Sequence, residues 1–439
     1  MNKKQRIIYI YFLILPIIDV LTSLVTRFDL CPITPGMLIK GLTLAFGVIY
    51  TIFITKSPYK KKSIFYFALL FIYFLFYFVT KPDIFNLSSL MQECINSFKY
   101  FYFPIMLISI INLFYDLKID KEFIKKILFI NCLTYTVLLI VPFITGTSFN
   151  SYRYDNVFGK NGWFYAANEI GVIMIILLSS ISMIINSNKK WIILLAIPIL
   201  FSIAIIGTKV SFLGMIIVTL LIIVLGSIKN YKHKSKRYNI NIIMLLLFLI
   251  INLSFSPAYK NLRNSITLNS KNDKIEIDSN QKYKKIEDLI HNKAIVKIVK
   301  ISLNGREDFF LQNYSIYYAS PTVDKLFGLG WSNHNNYNIK RKLIEIDYLD
   351  LFIHYGLIGF IVYFLPLIYL LYKLIKNFKK VQIEDIFYFL LVLLVLGISS
   401  FAGHVLSAPA VSIYLVILIE IIIINLERKN NEKNSNSSI

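Results

Sequence analysis

Residues 7–25 read IIYIYFLILPIIDVLTSLV, directly after Lys3, Lys4 and Arg6. A helix crosses the hydrocarbon core with about 20 apolar residues, and this run supplies them. It follows cations as a signal peptide does. It is too long for one, carries Asp19 and lacks a small-x-small cleavage pattern, so it is expected to stay as a first span.

Similar runs recur along the chain. The spacing predicts twelve spans near Ile7–Val25, Met37–Thr55, Ser63–Thr80, Phe98–Phe114, Ile127–Thr145, Phe164–Asn186, Trp191–Ile206, Val210–Ser227, Ile240–Phe255, Tyr348–Tyr372, Ile386–Phe401 and Val411–Leu426. Of 439 residues, 56% are hydrophobic and only 16% charged, against about 25% charged in ordinary soluble domains. This composition excludes a soluble globular protein. The net charge of +22 does not indicate nucleic acid, because the cations sit between apolar runs, as they do at membrane surfaces.

Charge bias sets the expected orientation. Lys60–Lys62, Lys125 with Lys126, the cluster Lys229–Arg237 and Lys379 with Lys380 all fall on the same side as the N-terminus. Short cationic loops stay cytoplasmic, so both termini are expected inside. The chain divides into spans 1–9 (residues 1–255), an extracytoplasmic segment (256–346), spans 10–12 (347–426) and a disordered cytoplasmic tail (427–439). A structureless loop as long as 256–346 is improbable without a function. Apolar spacing predicts an amphipathic helix over Ile286–Ile301. A second helix is expected from Asn304, where Glu307 completes a capping box and Phe310, Tyr314, Tyr317 and Tyr318 form an apolar stripe as far as Pro321. Cys31, Cys94 and Cys132 are too few and too scattered for a disulfide framework or a CxxC metal site, and pairing of Cys31 with Cys94 is left open.

Ionisable groups within spans are costly and therefore mark candidate sites. Asp19, Lys40, Lys99 and Glu169 fall in the outer halves of their spans, Lys209 and His404 in tight outer hairpins, and Arg153 in the outer loop before the sixth span. Lys40 and Lys99 equally suit snorkelling to the interface. The shared depth carries more weight than any one residue. Arg306, in the first turn of a helix, combines a guanidinium fork with oriented N–H donors, both suited to phosphate oxygens. Before the tenth span stand Glu345, Asp347, Asp350 and His354. On a helix Asp347, Asp350 and His354 share one face, and these acids serve either as helix-dipole partners or as a general base. His334 with Asn335 lies in a polar, turn-like stretch. No HExxH, Cys/His cluster or phosphate-loop motif is present, so neither a metal nor another cofactor is expected.

The local patterns resemble the O-antigen ligase and polymerase superfamily, integral membrane glycosyltransferases that use undecaprenyl-pyrophosphate-linked sugars. The resemblance rests on Gly305-Arg306, aromatic Phe309 and Phe310, Pro321, Gly328-Leu329-Gly330 and Gly356-Leu357-Ile358-Gly359. Asn168-Glu169-x-Gly171 and Thr208-Lys209-x-Ser211 add looser matches. It implies a GT-C-like, all-α polytopic fold and metal-independent, inverting transfer from a lipid-linked donor. Arg306, helped by Arg153 and Lys209, would hold the pyrophosphate, and the apolar spans the polyprenyl tail. Asp19, Lys40, Lys99, Glu169, His334, Asp350 and His404 are supporting candidates.

Family ligases usually place a His-Asn pair eleven residues before the first Gly of Gly-x-x-Gly, and here that position is Glu345. The base is then Glu345, Asp347, or His334 reaching in from further upstream. A Glu at the matching position can accept the same hydroxyl proton, which favours the carboxylates. The departure from His-Asn favours a polysaccharide polymerase. The alternatives are a ligase, which moves the glycan to a lipid, a wall polymer or a protein, and a polysaccharide-lipid flippase. Expected partners are the lipid-linked oligosaccharide, membrane lipid, a flippase and a chain-length regulator, and not nucleic acid.

Overall fold

The computed structural model describes residues 1–81, 85–152, 157–185, 192–231, 236–261, 306–331, 343–377 and 381–436. Arg153, His334, Asn304 and the expected helix Ile286–Ile301 lie outside these residues.

Where described, the expected apolar segments fall mainly on helices. In chain order these are α1 (Lys3–Arg27), α2 (Pro35–Ile49), α3 (Lys60–Val79), α4 (Leu87–Asp116), α5 (Lys121–Ile144), α6 (Ala167–Leu178), the short α7 (Ile181–Ile185), α8 (Ala196–Ile206), α9 (Lys209–Tyr231) and α10 (Lys236–Phe255). Two helices of the polar segment follow, α11 (Arg306–Ala319) and α12 (Thr322–Phe327). The chain ends with α13 (Asp347–Lys376), α14 (Ile383–Ser399) and α15 (Pro409–Asn436). Among the described residues seven helices are long and apolar enough to cross a membrane. No strand occurs among the described residues, only one isolated bridge between Asn150 and Lys160.

A helix that is apolar on every side has to be surrounded. Accordingly α15 is buried almost continuously from Val411 to Ile424, and α6 from Ile170 to Leu178. The helix α15 packs on α4, α14 and α6, while α6 also meets α9. Gly171 makes this second contact close, since a Cβ there would lie 3.4 Å from Thr208 and from Ser211. Two of the loosely matching sequence patterns are thus one packing joint. The helix α15 also runs on past Leu426, where the apolar stretch ends, to Asn436. Glu427, Arg428, Lys429, Glu432 and Lys433 are adequate helix formers, a preference that competes with the disorder expected from their polarity.

The glycine patterns around 328 and 356 form a second joint. Gly356 interrupts α13 at φ 68°, ψ −176°, a region open essentially to glycine alone. The three helical hydrogen bonds that would span residue 356 are lost, which releases the carbonyls of Ile353, His354 and Tyr355. Each finds another donor: Leu329 N (2.9 Å), Gly330 N (3.1 Å) and the Tyr73 hydroxyl (2.8 Å). Broken helices are tolerated at membrane depth when protein satisfies the freed groups.

Beneath the joint Glu93 is fully buried. It accepts bonds from the Tyr77 hydroxyl (2.6 Å) and Trp331 N (2.5 Å), while Lys81 donates to the Gly328 carbonyl. The polar segment is thereby anchored to α3, α4 and α13. Gly356→Ala is expected to cost at least about 1–3 kcal/mol from backbone strain alone, with a further collision against the Leu326 and Gly328 backbone. Thermal unfolding in detergent measures this, and Leu357→Ala, at a half-exposed neighbour, should change stability far less.

Candidate functional site

The site forms where α1, α2, α4 and α6 meet the start of α13 and the turn between α14 and α15. A cavity of about 560 Å³ is lined there by Asp19, Lys40, Lys99, Glu169, Glu345, Asp347, Asp350 and His404. These eight are residues singled out above by their chemistry and depth. Its volume is in the usual range for small-ligand sites.

Lys40 does not snorkel. It is buried and bonded to Asp19 Oδ1 at 2.7 Å, and the Tyr135 hydroxyl donates to Asp19 Oδ2 at 2.6 Å. Pairing with a hydroxyl in support is what a buried charge requires.

Arg306 opens α11. Its Nη2 donates to Glu345 Oε2 and its Nη1 to the Phe401 carbonyl, both at 3.2 Å, while its Nε has no hydrogen-bond partner among the described residues. Arg306 and Lys209 are near enough to repel one another. Burial pushes the Tyr152 phenol up, and the Arg306 charge draws it partly back. Glu345 has φ 60° and His404 φ 58°, a left-handed backbone that costs non-glycine residues energy and gathers at functional sites. Gly403 lies directly on the Glu345 backbone, where no side chain would fit.

Asp347 ties these pieces together. Its Oδ1 accepts from His404 N (3.0 Å) and the Ser407 hydroxyl (2.6 Å). Its Oδ2 accepts from the Ser399 hydroxyl (2.9 Å), Val405 N (2.8 Å) and Leu406 N (2.8 Å). A carboxylate holding five donors has no lone pair to spare for a substrate proton. Asp350 Oδ1 accepts from Ile344 N at 3.1 Å, which steadies the chain entering Glu345. His354, on the face shared with Asp347 and Asp350, is buried beneath Trp331 with ring centroids 3.8 Å apart, and its Nδ1 meets the Gly330 carbonyl.

A second cavity of about 580 Å³ is lined by Thr26, Arg27, Asn150, Ser151, Tyr152 and Tyr165. It shares Thr26 and Tyr165 with the first. Sequence reasoning missed this chamber. Arg27 reads there as an ordinary loop cation, and only its stacking over Phe149, 4.0 Å from the ring centroid, marks it out. The Glu93–Lys81 anchor was also missed. Its signal, an acid ahead of an apolar run, lies before the predicted start of the fourth span at Phe98.

On α11 the expected aromatic stripe divides. Tyr317 is buried against Phe352 and Phe310 packs on the same cluster, whereas Tyr314 and Tyr318 are exposed, the rings of Phe310, Tyr314 and Tyr318 following one another along the helix. Cys31 and Cys94 are both free and exposed. Among the described residues no group of three or more His, Cys, Asp or Glu is arranged to hold a metal.

The chain matches a family described as O-antigen ligase like membrane protein over residues 1–429. No curated protein and no solved structure matches it.

Proposed function

Because the chain belongs to the O-antigen ligase-like membrane protein family, we propose that it polymerises a surface polysaccharide from polyprenyl-diphosphate-linked units on the extracytoplasmic face of a bacterial cytoplasmic membrane. The family makes it a polysaccharide-related, glycosyltransferase-like membrane protein. The observation that carries the finer reading is the Arg306–Glu345 pair, whose Glu345 sits on strained backbone and lines a cavity rich in ionisable groups.

Arg306 has two possible partners of different strength. In the structure it divides its guanidinium between Glu345 and a carbonyl, with Nε unpartnered among the described residues. A diphosphate offers bidentate, charge-assisted hydrogen bonds and draws the guanidinium to itself. Glu345 then loses its counter-charge and becomes available to the acceptor hydroxyl. The hydroxyl proton passes to Glu345, and the oxygen forms a bond to the anomeric carbon. The bond from that carbon to the diphosphate oxygen breaks with inversion, and polyprenyl diphosphate leaves. Its charge is met by Arg306, with Lys209 and Arg153 as helpers. With guanidinium and ammonium groups taking the leaving charge, the reaction needs no divalent ion.

The test is reconstitution in liposomes with lipid-linked repeat units extracted from the source cell. A ladder of longer glycans is expected, unaffected by EDTA. The family description names ligases, so the second reading is transfer to a different acceptor, which would yield a single larger product in place of a ladder. Recovery of the donor chemically unchanged would reject both readings.

A further inference from the structure

Of the five carboxylates on the first cavity, four are engaged: Asp19 by Lys40 and Tyr135, Glu345 by Arg306, Asp347 by its five donors, and Asp350 by Ile344 N. Glu169, in the first turn of α6, has no hydrogen bond or ion pair among the described residues. It lies within electrostatic reach of His404, Lys40, Asp19 and Lys99. Lys99 is likewise without a hydrogen bond or ion pair among them and exposed on the same wall. A free acceptor and a free donor facing one space are what a polyhydroxyl ligand needs. The carboxylate accepts from sugar O–H groups, and the ammonium donates to their oxygens.

The neighbouring chamber has the opposite character. Among the described residues Arg27 is its only charged lining residue, and the Arg306 charge reaches its Tyr152. A diphosphate is repelled by a wall of carboxylates and attracted by guanidinium groups. Tyr165, 45% exposed, belongs to both chambers, and an aromatic face there gives a sugar ring an apolar surface to lie against.

We infer that the Glu169–Lys99 chamber is the acceptor-glycan subsite, binding uncharged sugar hydroxyls, while the lipid diphosphate occupies the Arg27–Tyr152 chamber across Thr26 and Tyr165. Glu345 lines the first chamber and is bonded to Arg306, whose charge reaches the second, so acceptor oxygen and leaving diphosphate meet at the common wall. The assignment rests on the glycosyl-transfer reading proposed above.

Two probes separate the chambers. One is undecaprenyl pyrophosphate. The other is the repeat-unit oligosaccharide released by mild acid from the cell's lipid-linked glycan, free of lipid and phosphate. With full-length protein in nanodiscs, Glu169→Gln and Lys99→Gln should each weaken the oligosaccharide by about tenfold or more and leave undecaprenyl pyrophosphate unchanged. Arg27→Gln should do the reverse. Lys99 is exposed, so its variant keeps the test valid even if Glu169→Gln fails to fold. Equal weakening of both probes, no weakening of the oligosaccharide, or no oligosaccharide binding by the wild type would overturn the assignment. If the wild type bound neither probe and transferred no glycan, the reading beneath it would fail as well.

Discussion

Arg306→Ala is expected to lower glycan transfer by about 10²–10³-fold, the usual cost of removing a donor aimed at developing negative charge. The protein should still fold, because among the described residues the guanidinium bonds only to a half-exposed carboxylate and one carbonyl. Arg306→Lys should recover part of the rate, since an ammonium keeps the charge and loses the fork. The coupling to Glu345 gives a sharper test. If the diphosphate frees Glu345 by taking Arg306 from it, the two act as a unit. Glu345→Gln combined with Arg306→Ala should then be little worse than either alone. Chain-length distribution from reconstituted protein measures this. An unchanged distribution in Arg306→Ala rejects the assigned role, and strictly additive losses reject the coupling.

Asp347→Asn should have a comparable effect for a different reason. It replaces one acceptor oxygen by an N–H donor pointing at groups that are themselves donors. With hydrogen bonds to a charged group worth about 1.5–3 kcal/mol each, loss of two or more costs at least about 3 kcal/mol. The turn carrying His404 and Ser407 should loosen, and amide exchange across residues 399–407 should rise together with a fall in thermal stability. Loss of transfer would accompany both. Were transfer lost while exchange and stability stayed as in the wild type, Asp347 would be the reacting carboxylate and Glu345 its support.

The two acids stand two residues apart in sequence, and nothing local separates their roles. From sequence alone both are base candidates, with His334, because a carboxylate in a semi-buried position suits that work. The structure separates the two acids through partners distant along the chain. Asp347 is held by residues 399–407, more than fifty positions away, whereas Glu345 meets a single guanidinium 39 positions upstream. The Glu93–Lys81 anchor escaped notice for the same reason, since a short-loop lysine and an acid near a helix start both read as solvated until Gly328 and Trp331 are seen to reach them.

The apolar runs, their helical state, the membrane class and the candidacy of Asp19, Lys40, Lys99, Glu169 and His404, which line one cavity, were all legible in one dimension. Apolar burial and the cost of charge in lipid act on each segment wherever its neighbours lie. The tertiary structure alone decided which of those charges neutralise one another, which remain free to face a cavity, and that two chambers share the wall of Thr26 and Tyr165. Ion pairing and hydrogen bonding act over a few ångströms, so their outcome depends on how distant helices pack.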